Sequence, residues 1–148
     1  MNKIKAVNAI EALADYLECD PDDLTSENHT HYGLEVFSLG NKEYAIGTDA
    51  EADEACAEYI KDSLWAFNAS FICSECELPS ELEEALQSMQ ETRCESANDS
   101  ILALVERSRG GLESFVSSAI SADGRGHFLS SYDGEENEAG EFFVYRIN

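Results

Sequence analysis

Apolar residues recur at helical spacing near the start of the chain. Val7, Ile10, Leu13, Ala14 and Leu17 fall on one face and predict an amphipathic helix ending near Cys19. Asp20-Pro21-Asp22-Asp23 follows as an N-cap, a proline at the first helical position and acids in the first turn, enough for one short turn of helix. Ser26 to Tyr32 is polar and reads as loop. Leu34–Leu39 and Lys42–Ile46 then read as two strands joined by the two-residue turn Gly40-Asn41.

The clearest helix opens at Thr48, with Glu51 three residues on as a capping box. Ala52, Ala55, Cys56, Tyr59, Ile60, Ser63, Leu64 and Phe67 form its buried face, which Trp65 and Phe67 carry to the end as core. Glu51, Glu54, Glu58 and Asp62 form a stripe on the other side. After a break at Cys73–Pro79, Ser80 with Glu83 makes a second capping box, and Leu82, Ala85, Leu86 and Met89 are the buried positions of that helix. Ser96 with Asp99 resembles a third, weaker cap for a helix through Ile101, Leu102, Leu104 and Val105, stopped by Gly110-Gly111. Leu112, Phe115, Val116, Ala119 and Ile120 make a further short helix. In the tail, His127–Tyr132 reads as a strand, Asp133–Gly140 as an acidic turn and Phe142–Ile147 as a closing strand. The expected fold is α+β: about five helices on a small, mostly antiparallel sheet built from an N-proximal and a C-terminal hairpin. At 148 residues without a linker rich in Pro, Gly and Ser, one domain spanning 1–148 is the simplest organisation.

Charge changes the picture most. There are 31 acidic residues against 9 basic ones, a formal net charge of −22. Such a chain repels phosphate, and its Lys and Arg are too scattered to make a basic patch, so direct nucleic-acid or anionic-membrane binding is not expected. Its electrostatic complement is a basic protein surface or a multivalent cation. Two plainer accounts compete: solubility, and a salt-rich habitat. Five cysteines and an excess of Glu over Asp weigh against the second. The odd cysteine count and the early acids Glu11 and Asp15, which interrupt any secretory signal, point to a reducing cytoplasm.

Two segments look familiar. Thr48–Ala55 running on to Tyr59–Asn68, and Asp123–Glu136, together resemble small acidic accessory proteins encoded by bacteriophages and prophages. That resemblance covers most of the chain beyond Leu34 and carries no catalytic motif. It implies an accessory protein acting in the host cytoplasm.

Three chemistries are open. Carboxylates once per helical turn, about 5.4 Å apart, can imitate a nucleic-acid backbone and occupy Arg and Lys groups that grip phosphate. The partner is then a basic host protein, including a nucleic-acid-dependent defence factor, and the contact residues are Glu51, Glu54, Glu58 and Asp62 with Asp133, Glu135, Glu136 and Glu138 of the acidic turn. A solvated helix face is the plainer account of the same stripe. The second chemistry is a small enzyme centred on His127 and Asp133, with Asp123, Arg125 and Tyr132 nearby; no nucleophile elbow or phosphate loop accompanies it. The third is a zinc-stabilised scaffold on Cys73-x-x-Cys76, completed by Cys94, Cys56 or the His29-x-His31 pair. No second Cys-x-x-Cys supports that site, so no metal or other cofactor is expected, and Glu75 and Glu77 disfavour thiolates there. The oligomeric state is not legible.

Overall fold

A computed structural model describes residues 8–148; Val7 of the first predicted helix, with Lys3 and Lys5, lies outside the described residues. The fold is α+β. Five antiparallel strands lie in the order β1 (Thr25–His31), β2 (Leu34–Leu39), β3 (Lys42–Thr48), β5 (Phe142–Arg146), β4 (Asn137–Ala139), so N-proximal and C-terminal hairpins share one sheet. By contact density the chain separates into two compact units, 1–56 with 123–148, and 57–122.

In the first unit, α1 (Ala9–Leu17) is capped by the Asn8 carboxamide, which accepts from the Glu11 N–H at 3.0 Å. Its buried residues Ala9, Ala12, Leu13 and Ala14 pack with Leu24, Phe37, Tyr44, Ile46, Ala139 and Val144. Burying each large side chain of that set stabilises by about 1.5–3 kcal/mol. Among the described residues three hairpins close in two residues, and two of them open on glycine. Gly40 and Gly140, each the first central residue, sit at φ +64° and +65°, where a side chain would strain the backbone. The 3-10 turn Pro21–Asp23 forms as expected, with Asp20 accepting from the Asp22 N–H.

Three expectations are corrected here. Ser26–Tyr32 is not loop: Ser26–His31 is most of β1, a polar strand paired with β2 at the edge of the described sheet, and only Tyr32 lies in a turn. An edge strand gains its stability from ladder hydrogen bonds and need not alternate apolar and polar residues. His127–Tyr132 is not a strand: α7 (Arg125–Leu129) is a one-turn helix whose Phe128 and Leu129 are buried. Gly126 permits this, because a Cβ there would stand 2.6–2.8 Å from the backbone of residues 134–136. Residues 133–140 are not wholly turn, since Asn137–Ala139 pairs with β5.

α2 (Asp49–Asp62) begins in the first unit and ends in the second. Its capping box is formed as expected: the Thr48 N–H donates to Glu51 Oε1 at 2.9 Å and the Glu51 N–H to Thr48 Oγ1 at 3.2 Å. The second unit continues with α3 (Ala69–Glu75), α4 (Glu81–Arg93), α5 (Asn98–Glu106) and α6 (Gly111–Asp123). Asn98 ties two of its segments, accepting from the Trp65 N–H at 3.0 Å and donating to the Lys61 carbonyl at 2.8 Å. Phe67, Phe71 and Phe115 stack with centroids 5.4–6.1 Å apart. Phe115 is buried, whereas Phe67 and Trp65 are only half-buried, at the rim of the core. The second and third expected capping boxes are absent, since neither Ser80 nor Ser96 makes a cap bond. Of α4's expected buried face only Leu86 is buried, and Leu82 is 43% exposed.

Candidate functional site

Where α1 passes the β4–β5 hairpin, the first unit opens into a cleft of about 490 Å³. Glu11 and Asp15 come from the solvent face of α1, and Glu138 and Glu141 flank the Gly140 turn. Between them lie Tyr16, Phe142, Ala12 and Ala139. The periodicity of α1 explains this: its apolar stripe is spent on the core, which leaves its acids and Tyr16 outward. No cation pairs with any of these four carboxylates among the described residues. The arrangement suits a Lys or Arg side chain, with the stem against the aromatic rings and the charged head among carboxylates.

The residues expected to meet a partner are distributed differently from a single stripe. In the first unit, Glu51 is engaged in its capping box and Glu54 is exposed. Glu138 lines the cleft and Glu135 is exposed. Asp133 accepts from the Glu135 N–H at 3.0 Å and lies 2.8 Å from the Ser130 hydroxyl. Those bonds hold its carboxyl below the usual carboxylate range. Glu136 turns inward to Arg125. In the second unit, Asp62 is exposed and Glu58 pairs with Lys61 at 3.3 Å.

Arg125, at the start of α7, is held among three acids. Its Nη1 lies 2.9 Å from Asp49 Oδ1 and 3.0 Å from Asp53 Oδ1, and its Nε donates to Glu136 Oε2 at 2.7 Å. The guanidinium lies 4.7 Å from the centroid of the Phe143 ring. Tyr145 donates a hydrogen bond to the same Glu136 oxygen, and burial first, then that bond, push its pKa up. Burial also pushes the Cys56 thiol up to about 12, against the opposing pull of Arg125. A saturated cation, a neutral phenol and a neutral thiol together make a structural clamp.

This bears on the enzyme alternative. Arg125 is bound to Asp49, Asp53 and Glu136, Asp133 is held in its own turn, and His127 is exposed on α7 with its ring T-shaped to that of Phe128. None of the three lines the cleft between α1 and the β4–β5 hairpin. For the scaffold alternative, Cys73 and Cys76 are buried free thiols. Desolvation pushes both upward, aided at Cys73 by Glu83 and at Cys76 by Glu75. Among the described residues, the metal-ligating groups that meet are instead Glu27, His29 and Glu43, whose ligand atoms lie within 4.8 Å of one another. His31 is not among them: its Nε2 is 2.8 Å from the Leu129 carbonyl oxygen.

No described helix is long and apolar enough to cross a membrane. No family model, curated protein or solved structure matches this chain.

Proposed function

We propose that this chain is an acidic protein-binding module that engages a Lys- and Arg-rich protein surface. Where that surface normally grips nucleic acid, the chain competes for it. The observation that carries this reading is the cleft of Glu11, Asp15, Glu138 and Glu141 around Tyr16 and Phe142, concave, one-signed and supplied with apolar area for a cationic side chain. The outward carboxylates of Glu54 and Glu135 extend the same sign of charge, and Glu58 and Asp62 do so in the second unit. The resemblance to phage accessory proteins makes a nucleic-acid-binding protein of the bacterial host, including a defence factor, the partner we favour.

The test is displacement of a labelled duplex from basic nucleic-acid-binding proteins of a bacterial host, followed by fluorescence anisotropy. The parent chain should displace duplex from its partner at low salt and lose potency steeply as salt rises. Reversal of both cleft acids, E138K with E141K, should cost about tenfold or more, mostly in association rate. Reversal of E54K with E58K should cost less, because Glu58 already has a cation. Displacement unaltered by either pair would reduce the acidity to a solubility feature.

A further inference from the structure

We propose that Glu27, His29 and Glu43 form a binding site for a divalent transition-metal cation of the zinc type. The three groups come from two strands, β1 and β3, separated by β2. β1 leaves its regular register between Ser26 and Thr30, and the irregularity contains Glu27 and His29. Such bulges re-aim side chains out of the alternation of a strand. Here both point toward Glu43, so that one imidazole nitrogen and two carboxylate oxygens lie within 4.8 Å of one another.

Two of the ligands are held in place. Ser38 of the intervening strand donates its hydroxyl proton to Glu27 Oε2 at 2.7 Å, which orients that carboxylate and leaves its other oxygen. Metal-binding carboxylates are commonly fixed by such a bond. Glu43 is anchored through its backbone, its N–H donating to the Asn148 carbonyl at 3.3 Å and its carbonyl accepting from the Ile147 N–H at 2.9 Å. His29 is exposed, and its ring nitrogen completes the set.

Electrostatics ask for a cation at this point. Two carboxylates approach each other across the intervening strand, where like charges repel. Among the described residues no Lys or Arg pairs with Glu27 or Glu43. The donor set selects the kind of ion. An imidazole with two carboxylates suits zinc and its neighbours, whereas calcium prefers six to eight oxygens. Three protein ligands leave a coordination position for water or for a donor from another molecule.

The experiment is calorimetric titration of the full chain with Zn²⁺, with Ca²⁺ in parallel. One Zn²⁺ per chain is expected, bound at least about tenfold more tightly than Ca²⁺, and H29Q or E43Q should each weaken it about tenfold or more. The double variant E54Q with E58Q should leave it unchanged. In the unsubstituted chain, imidazole NMR signals of His29 should shift on titration while those of His31 and His127 stay. Binding that survives H29Q and E43Q is a diffuse ion atmosphere and overturns the site. Binding abolished by C73S with C76S assigns the zinc to thiolates and overturns it equally. Should the sheet variants misfold, an unmoved His29 signal at saturating Zn²⁺ decides against it.

Discussion

Arg125 carries its charge into a nearly closed setting. Its side chain is 10% exposed, against 29% for Glu136, 59% for Asp53 and 74% for Asp49. Glu136 is therefore the partner that most needs the cation, while the two aspartates can rehydrate. Breaking a buried pair from one side costs about 3–5 kcal/mol. Since two of the three acids are mostly solvated, R125M should cost about 2–4 kcal/mol. R125K keeps the charge but loses the fork that reaches Glu136 and the aspartates together, so its loss should be intermediate. Urea denaturation with an unchanged slope measures both. His31 provides a second residue-scale outcome. Burial lowers its pKa below the ordinary 6.5, only partly offset by the Leu129 carbonyl, and His29 lowers it further. The folded state therefore binds its proton later than the unfolded chain does. His31 should contribute full stability above pH 6.5 and lose it as pH falls through 6.5 toward the folded value. H31Q keeps a donor for Leu129 without a titrating ring. The stability difference between parent and H31Q should shrink over that window, and a pH-independent difference would show that the ring does not titrate there.

At the scale of elements, capping separates two sequence signals that look alike. Thr48 and Glu51 satisfy each other's backbone donors, so T48A should cost about 1 kcal/mol. Ser80 has the same spacing to Glu83, yet its backbone is already helical at φ −62° and ψ −22°. The turn begins one residue earlier, with the Leu82 N–H on the Pro79 carbonyl and the Glu83 N–H on that of Ser80, which leaves the hydroxyl no donor to accept. S80A should therefore fall within about 0.5 kcal/mol of the parent. Paired thermal melts check the contrast. The same distinction governs what could be read along the chain. α2 is legible because its apolar face and its cap agree over fourteen residues. β1 is silent because a polar edge strand leaves no hydrophobic period. α7 is silent because five residues are too few to separate a period of 3.6 from one of 2, and because the contact that shapes it is the backbone of residues 134–136 against Gly126. The cleft was legible only in Glu138. Glu11 and Asp15 meet Glu138 and Glu141 through tertiary structure, more than a hundred positions apart, and neither pair alone has a motif.

For the whole molecule, net charge sets a pair of opposed salt responses. A formal charge of −22 destabilises the compact state through self-repulsion, and few described carboxylates have a cation to offset it. Added salt shortens the screening length from about 30 Å at 0.01 M to about 8 Å at physiological strength and about 3 Å at 1 M. The fold should therefore gain stability as NaCl rises from low concentration, by about 1–2 kcal/mol, or about 3–6 °C in Tm. Most of the gain should come before physiological strength. Chloride is the appropriate salt, since sulfate strengthens apolar burial independently of charge. Partner binding should run the other way, because the same screening weakens attraction to a basic surface. The double reversal E138K with E141K divides the two effects. It shifts the net charge by four units toward neutrality, so its melting temperature should depend less on salt than that of the parent, while its binding at low salt is weakened about tenfold or more. A parent whose stability does not respond to NaCl would mean that the repulsion is already relieved, by bound cations or by carboxylates held protonated. Scanning calorimetry after exhaustive chelation, with and without added Zn²⁺, tells these apart: bound cations restore the stability when returned, and protonated carboxylates do not respond.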